Sequence, residues 1–369
     1  MGVAVSGRAD GIRVGVIGAG AMGAAHIRTL ARWVPSATVV AAYDADVSRA
    51  TAICAEVGAR VADGSGELIT ADDVDAVLIA APDPLHEELV LSCLAAEKPT
   101  LCEKPLATSA ESSRRVVDAE VAAGRRLVQV GFMRRHDQAY EQLRQMISTG
   151  GVGDVRVVHC VHRNPRAHPT ATSEGIITNS MIHELDIVPW LLDDAWSAVT
   201  MTVPRLDDGQ LLDPQVGVLE TRSGVVVTSE VFVNARYGYD VRCEVVGAAG
   251  TARLSAPYGL GLRRDGVDGM VVAPDFVERF ADAYRVELEE WVTAAAGGAS
   301  GGGSAGGAGT GSTAGAGGGA GGAGGASAWD AYRADLAAAA AVESLHCGAR
   351  VAISDPEPPA LYATTPADG

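Results

Sequence analysis

The residues Ile12-Arg13-Val14-Gly15-Val16-Ile17 run directly into Gly18-Ala19-Gly20-Ala21-Met22-Gly23, and this stretch decides the fold of the first half of the chain. The apolar run is short enough for a buried parallel strand, and a helical stretch follows it. In this context Gly18 permits the tight turn, Gly20 lets a pyrophosphate approach the backbone, and Gly23 lets helix and strand pack closely. The N-terminus of the helix, at Ala21 and Met22, offers N–H groups and a positive dipole end to the phosphates. The stretch therefore predicts a dinucleotide-binding turn.

A second apolar strand ends at Asp44, 21 residues after Gly23. An acid at this position binds the ribose hydroxyls of adenosine in dinucleotide-binding folds. A carboxylate also repels a 2'-phosphate, so the pattern predicts NAD rather than NADP as the cofactor. Asp46 is a second candidate for the same role. The alternative interpretation is that the glycines serve turn geometry alone.

Strands and helices then alternate through the first half of the chain, which is typical of a doubly wound parallel sheet. We predict strands at residues 76–81, 100–102 and 127–130, with helices at about 85–96 and 109–123. Ligands bind at the carboxyl ends of such strands. The candidate cofactor-binding residues at that edge are Ala81, Pro82, His86, Glu103 and Lys104. His86 could equally be a packing or capping residue.

From residue 155 the predicted strands follow one another without alternating helices. This pattern predicts a second, α+β domain with a large, mainly antiparallel open sheet. We place an NAD-binding Rossmann domain at residues 1–134 and a substrate-binding and oligomerisation domain at residues 135–369. Residues from about 294 to 326 are almost wholly small, so we predict a flexible Gly/Ala-rich insertion there. A frayed tail is expected from about residue 355.

A helix is predicted at residues 178–192, between the first two strands of the second sheet, because apolar side chains recur there at helical spacing. Asn179 and His183 are four residues apart, so both side chains lie on one face of this helix and can meet the same ligand. Asp186 follows three residues later and could orient or support His183.

Oxidation of a secondary alcohol by a nicotinamide cofactor needs a group that accepts the hydroxyl proton and a cation that favours the developing alkoxide. A histidine side chain suits the first task and a lysine side chain suits the second. We predict His183 as the acid/base and Lys104 as the cation. The alternative is a core histidine satisfied by Asp186 and a solvated surface lysine.

The composition excludes several classes of partner. A formal net charge of −17 argues against nucleic acid or an anionic membrane surface, because like charges repel. We find no signal-peptide core and no apolar run that reaches the roughly 18 residues of a membrane helix. The six cysteines lack paired spacing and fit a reducing environment. We therefore expect a soluble, cytoplasmic protein.

A short segment, His159, Cys160, His162 and His168, is rich in potential metal ligands. In a strand His159 and Cys160 face opposite ways, and the set matches no closed zinc spacing. The sequence therefore predicts no metal site.

Four features together resemble the Gfo/Idh/MocA oxidoreductases: strand-GxGxxG-helix, Ala81-Pro82-Asp83-Pro84-Leu85-His86, Glu103-Lys104-Pro105, and the late helix with His183-Glu184-Leu185-Asp186. The resemblance covers nearly the whole chain apart from the glycine-rich insertion and the ends. Finer features, at residues 131–135, 161–165, 237–240 and 283–287, are similar to the inositol 2-dehydrogenases of that family. The resemblance implies NAD-dependent oxidation of the axial hydroxyl of myo-inositol to the 2-keto compound, a reaction of myo-inositol catabolism.

The resemblance also implies residue roles. Lys104 would be the substrate-binding cation that favours the alkoxide, and His183 the acid/base. The remaining hydroxyls would be held by a polar set, namely Arg134, His162, Asn164 and one of Tyr237 or Tyr239. Asn179 stands where the inositol dehydrogenase pattern often has an aspartate, and His136 where a tyrosine is more usual. An amide can bind a hydroxyl or the histidine but supplies no negative charge, so the preferred polyol could differ.

Other functions stay open beside this one. The substrate could be another inositol isomer or a sugar. The chain could instead be an NAD-dependent glycoside-cleaving enzyme, which oxidises and re-reduces its sugar without net cofactor turnover, or a non-catalytic NAD-sensing protein. A sheet with one face free of helices commonly pairs with another subunit, and the resemblance implies a homotetramer built in that way.

Overall fold

The computed structural model describes residues 11–205, 209–255, 261–299 and 325–363. Its helices in chain order are α1 (Ala21–Trp33), α2 (Val47–Val57), α3 (Ser65–Thr70), α4 (His86–Ala95), α5 (Ala110–Ala123), α6 (Gln138–Ser148), α7 (Ser173–Gly175), α8 (Ile182–Leu192), α9 (Phe276–Arg279), α10 (Ala281–Ala299) and α11 (Ala328–Cys347). Two 3-10 turns lie at Asp83–Leu85 and Met133–His136, and a π-helical segment lies at Ile176–Met181.

The strands belong to two large sheets and one separate hairpin. In chain order they are β1 (Ile12–Ile17), β2 (Ala37–Tyr43), β3 (Arg60–Val61), β4 (Ala76–Ile79), β5 (Thr100–Glu103), β6 (Val128–Gly131), β7 (Val155–Arg163), β8 (Trp196–Thr202), β9 (Gln215–Thr221), β10 (Val226–Phe232), β11 (Asp240–Gly247), β12 (Thr251–Arg253), β13 (Gly261–Arg264), β14 (Val267–Met270), β15 (Ala326–Ser327) and β16 (Val351–Ala352). The hairpin consists of β13 and β14.

The chain divides into two compact units that interleave in sequence. The first comprises the described residues within Met1–Gly131, Tyr284–Trp329 and Pro358–Gly369; the second comprises Phe132–Ala283 and Asp330–Glu357. The division at residue 131 lies close to the predicted boundary at residue 134. The two predicted domains are consecutive, however, whereas the observed units each use separate segments of chain.

Packing of α10 explains this difference. Trp291 and Leu288 of α10 are fully buried in the same apolar core as Ile27 and Leu30 of α1. Burial of such large apolar side chains contributes roughly 1.5–3 kcal/mol each to stability. The hydrophobic effect therefore assigns most of this late helix to the dinucleotide-binding unit, although it follows the second sheet in sequence.

The sheet of the first unit has the order β15-β6-β5-β4-β1-β2-β3. All its neighbours pair in parallel except β15, which runs antiparallel to β6. Its central strands β4 and β5 are buried at every residue, as expected for a parallel sheet. The predicted doubly wound Rossmann sheet is confirmed.

The sheet of the second unit has the order β12-β11-β7-β10-β9-β8-β16. Its pairs are antiparallel except for β7 with β10, which run in parallel. Buried and partly exposed residues alternate along β9 and β10, so one face of the sheet packs inward and the other is more exposed. The predicted α+β domain with a mainly antiparallel open sheet is confirmed.

The predicted insertion and tail coincide only partly with described residues. Residues 300–324 and 364–369 lie outside the described residues. The start of the predicted insertion continues α10 to Ala299, and its last residue begins β15. In the tail, Tyr362 is buried, stacks on Trp329 with a centroid distance of 6.1 Å and donates a 2.5 Å hydrogen bond to Glu120 Oε2. An aromatic anchor thus holds a segment that its proline content predicts to fray.

Within the described residues, no helix is long and apolar enough to cross a membrane.

Candidate active site

The glycine-rich turn at the end of β1 leaves open space at one position and close packing at two. Gly18 has a φ of 98°, and a Cβ there would lie 2.3 Å from Ala80 O. A Cβ on Gly23 would lie 1.8 Å from Gly18 O, so neither position accepts a side chain without movement. A Cβ on Gly20 would meet no atom within 4 Å, and no side chain caps the N-terminus of α1 there. The free N–H groups above Gly20 fit a pyrophosphate.

Asp44 and Asp46, the two acids after β2, have different local roles. Asp44 Oδ2 accepts a 2.7 Å hydrogen bond from Ala19 N, which ties the carboxylate to the glycine turn. Asp46 is the N-cap of α2 and accepts from Ser48 N at 3.0 Å. Asp46 caps α2, whereas Asp44 is tied to the glycine turn and accepts from Asp46 N at 2.8 Å with its other oxygen; its contact with a ribose stays a prediction.

Glu103 and Lys104 lie where β5 ends. Glu103 is only 8 % exposed and accepts a 2.7 Å hydrogen bond from His26 Nε2, and its second oxygen accepts from Lys104 N at 3.2 Å. Burial alone would raise the pKa of Glu103, but the hydrogen bond and charge of His26 and the charge of Lys104 lower it below its ordinary value. Lys104 is partly exposed, and the Lys104–Pro105 peptide is cis.

His86 joins the loops that follow two neighbouring strands. Its Nδ1 is 2.7 Å from Pro105 O, and its Nε2 is 2.8 Å from Ala81 O. The side chain is buried, with 1 % exposed. These contacts fit the alternative prediction that His86 is a packing residue. Its ring holds the Ala81-Pro82 loop beside the loop that carries Lys104.

His183 lies in the second unit, in the first turn of α8. Its ring centroid is 6.0 Å from that of His162 and 6.1 Å from that of Phe132. Asn179 is exposed and belongs to the π-helical segment, so the single regular helix predicted at residues 178–192 changes type within its first turn. Such wider turns are frequent at functional sites.

Arg134 is buried and paired with an acid of α8. It is 1 % exposed, forms an ion pair with Glu184, and has its Nη2 3.2 Å from His162 Nδ1. Burial favours a raised pKa for Glu184, but the charges of Arg134 and His162 hold that pKa below its ordinary value. Arg134 thus lies in a buried ion pair with Glu184, and its binding of a substrate hydroxyl stays a prediction.

Asp186 pairs with an arginine. Its Oδ2 and Oδ1 accept hydrogen bonds from Arg135 Nε at 3.0 Å and Arg135 Nη2 at 2.5 Å, and both residues are buried. The predicted support of His183 by Asp186 is therefore replaced by a bidentate ion pair. Two successive arginines of one 3-10 turn thus hold two acids of α8, one on each side of Leu185.

The two candidate tyrosines differ in burial. The Tyr239 ring packs edge-on against His162 with a centroid distance of 5.6 Å and is buried. Tyr237 is 48 % exposed, donates to Asp240 Oδ2 at 2.7 Å and accepts from Arg163 Nη1 at 3.1 Å. Of the two, Tyr239 contacts His162, whose ring is also near that of His183. Asn164 is half-buried at the end of β7, and its backbone N–H donates to Phe232 O at 2.9 Å.

Three residues near the candidate site were missed as functional candidates: His26, Arg135 and Glu184. The position of His26, three residues after Gly23 on the buried face of α1, is a signal that could have been used. Charged side chains within an apolar helix, such as Glu184, were a second signal, because buried charges need partners.

Among the described residues, no group of three or more His, Cys, Asp or Glu side chains could hold a metal ion. His159 is exposed, and its Nδ1 is 2.8 Å from Thr228 Oγ1.

The Rossmann sheet, the open glycine turn and the acid after β2 define the class of protein as dinucleotide-binding. A family model described as "Oxidoreductase family, NAD-binding Rossmann fold" matches residues 12–132, and one described as "GFO/IDH/MocA C-terminal domain" matches residues 140–253. The chain belongs to the Gfo/Idh/MocA oxidoreductase family.

Named relatives cover nearly the whole chain. It is 44% identical to inositol 2-dehydrogenase 1 of Saccharopolyspora erythraea, over 96% of this chain and 99% of the relative. It is 41% identical to inositol 2-dehydrogenase of Klebsiella pneumoniae (strain 342), over 95% and 99% of the two chains. Myo-inositol dehydrogenase from Lactobacillus casei, solved in complex with NAD(H) and myo-inositol, superposes with a TM-score of 0.85 at 35% identity, over 96% of this chain and 100% of that one.

Proposed function

We propose that this protein oxidises a secondary hydroxyl of a cyclic polyol with NAD, and that its substrate is myo-inositol, which yields 2-keto-myo-inositol (scyllo-inosose). The observation that carries the proposal is the similarity to inositol 2-dehydrogenases over nearly the full length of both chains. The open cradle at Gly20, with Asp44 tied to the same turn, supports NAD as the partner of the reaction. The reaction would serve the catabolism of inositol.

Lys104 and His183 are the proposed catalytic residues. His183 accepts the hydroxyl proton, and the ammonium group of Lys104 favours the alkoxide that develops as the proton leaves. The glycine turn and Asp44 would hold NAD, which would supply the hydride acceptor for the carbon that bears this hydroxyl. The amides of Asn179 and Asn164 and the phenol of Tyr239 are proposed to bind further hydroxyls, because a buried polyol must replace the hydrogen bonds it made to water. His162 is proposed to bind a hydroxyl or to steady His183.

The test is an assay of NADH absorbance with a panel of inositol isomers and hexoses, run with NAD and NADP in parallel. We expect the highest rate with myo-inositol and NAD. Lys104→Met and His183→Ala should each lower turnover by about 100-fold or more, with binding of NAD nearly unchanged. The surface variant His168→Ala, whose side chain is exposed, serves as the control and should keep wild-type turnover.

Four outcomes would overturn parts of the proposal. Unchanged turnover in both Lys104→Met and His183→Ala would remove the mechanism. A preference for NADP would contradict the role of Asp44. Cleavage of an aryl glycoside without net NADH would indicate the glycoside-cleaving function, and NAD binding without turnover of any polyol would indicate the sensing function.

We also propose that the protein is a cytoplasmic homotetramer. The free cysteines, five of which are buried, support a reducing compartment. The exposed face of the second sheet carries Val218 and Val226, each 39 % exposed, which supports burial of that face against another subunit. Sedimentation equilibrium should give four times the mass of the chain, and a Val218→Glu/Val226→Glu variant should give a smaller species. A monomeric wild-type protein would contradict the assembly, and an intermolecular or structural disulfide in protein from its own cells would contradict the location.

A further inference from the structure

A buried hydrogen bond links the helix of the dinucleotide turn to the peptide that carries Lys104. His26 lies on the buried face of α1 and is 1 % exposed. Its Nε2 donates to Glu103 Oε1 at 2.7 Å, and Glu103 Oε2 accepts from the backbone N–H of Lys104 at 3.2 Å. The chemistry proposed above uses neither His26 nor the carboxylate of Glu103.

The carboxylate of Glu103 and the ring of His26 are each packed against a further element. The Cδ atom of Glu103 lies 3.2 Å from the position that a Cβ on Gly131 would take, so the carboxylate packs closely against β6 on one side. The ring of Tyr284 meets His26 edge-on with a centroid distance of 5.6 Å and limits rotation of the imidazole. His26 and Glu103 therefore form a fixed connection between two elements of the unit.

The charges around Glu103 indicate an ionised carboxylate. The groups that act on it are His26 of α1, His86 of α4 and Lys104 of its own loop, and together they hold its pKa below the ordinary value despite its burial. An ionised carboxylate only accepts hydrogen bonds, so His26 Nε2 carries a proton in this contact. The link thus depends on an N–H donor at His26 but does not require a charge there.

We propose that His26 is a positioning residue for Lys104. It fixes the carboxylate of Glu103, and Glu103 in turn fixes the backbone N–H of Lys104 and so the Cα from which its side chain extends. This inference rests on the proposed function of Lys104. A misplaced catalytic group costs up to about 100-fold in rate, so the link is worth measuring by turnover rather than by stability alone.

The test compares His26→Leu, which removes the donor at similar volume, with His26→Gln, which keeps an N–H donor. With NAD and the best polyol of the panel, we expect His26→Leu to lower kcat by about 10- to 100-fold, with little change in the Kd for NAD. His26→Gln should recover most of the loss. The matched control is His346→Leu, because His346 Nε2 also pairs with a glutamate, Glu174 Oε1, at 2.8 Å but in an exposed position. It should keep wild-type kcat.

A double-variant cycle separates positioning from a general effect on the fold. In the Lys104→Met background, His26→Leu should cause no further loss of kcat, because its effect passes through Lys104. Fully additive losses, or a His26→Gln variant as impaired as His26→Leu, would overturn the inference while leaving the proposed function intact. If Lys104→Met itself keeps wild-type kcat, the proposed function fails first. Should His26→Leu not bind NAD because it is unfolded, His26→Asn, whose shorter amide cannot reach Glu103, takes its place.

Discussion

Glu103 and Glu184 are two buried carboxylates in different units, and each is adjacent in sequence to a proposed catalytic residue. Glu103 precedes Lys104 and Glu184 follows His183. Each is held by one principal partner, His26 for Glu103 and Arg134 for Glu184. In both cases the pKa of the carboxyl group lies below its ordinary value although burial acts in the opposite direction.

The difference between the partners determines how each carboxylate behaves when it is disturbed. Arginine keeps its charge at any pH at which proteins are folded, whereas a histidine can donate a hydrogen bond as a neutral ring. Glu184 is therefore held by a permanent ion pair, and Glu103 by a donor that needs no charge. We infer that the Arg134 pair contributes mainly to the integrity of the second unit, and the His26 pair to the placement of one peptide.

The largest effect expected from this comparison is a loss of folding stability in the variant Arg134→Met. The substitution keeps volume but leaves Glu184 buried beside His162 without a permanent positive charge. Breaking one side of a buried ion pair costs about 3–5 kcal/mol in the free energy of unfolding. Urea denaturation followed by circular dichroism at pH 7 measures this loss.

Two further variants show whether the loss comes from the unpaired charge. Arg134→Met/Glu184→Leu removes both charges and should recover most of the stability, since replacing a buried pair by apolar residues is often neutral. Arg350→Met breaks the exposed pair with Glu220 and should leave the unfolding midpoint near that of the wild type. A small loss in Arg134→Met, similar to that in Arg350→Met, would mean that the two carboxylates are held in equivalent ways.

The parts of the fold that depend on local pattern could be predicted from the sequence. The strand-turn-helix from Ile12 to Trp33 was recognisable because apolar runs and glycines at fixed spacing encode it locally. The change from alternating strands and helices to successive strands located the second sheet for the same reason. What was not predictable was the return of α10 and the chain end to the first unit, because packing between distant segments leaves no periodic signal.

The candidate residues follow the same rule. Lys104 could be selected because it follows a recognisable strand, and His183 because it lies on a recognisable helix, but their supporting partners could not. His26 meets Glu103 across 77 positions of sequence and Arg134 meets Glu184 across 50. Nearness in sequence suggests that Asp186 could orient or support His183, whereas the side chain of Asp186 pairs with Arg135. Side-chain pairing across such separations depends on tertiary structure.

The smallest expected effect is on how the free energy of unfolding falls at acid pH. It distinguishes the two carboxylates by the proton that each one binds. A carboxyl group whose pKa is lowered in the folded state contributes stability that is present above its unfolded pKa of about 4.3. That contribution is lost as pH falls through the lower, folded pKa, because the unfolded chain then binds the proton more readily.

Glu103→Gln removes the titrating group but leaves His26 with a neutral acceptor. We therefore expect little loss at pH 7 and a shallower fall in unfolding free energy between about pH 5 and pH 3. Glu184→Gln should also flatten the fall but lose stability at pH 7 as well, because Arg134 stays buried and charged. Urea midpoints of both variants across this range, with the exposed Glu88→Gln as the control, measure the difference. Parallel curves for wild type and Glu103→Gln would mean that the carboxyl group of Glu103 does not titrate differently in the folded and unfolded chain.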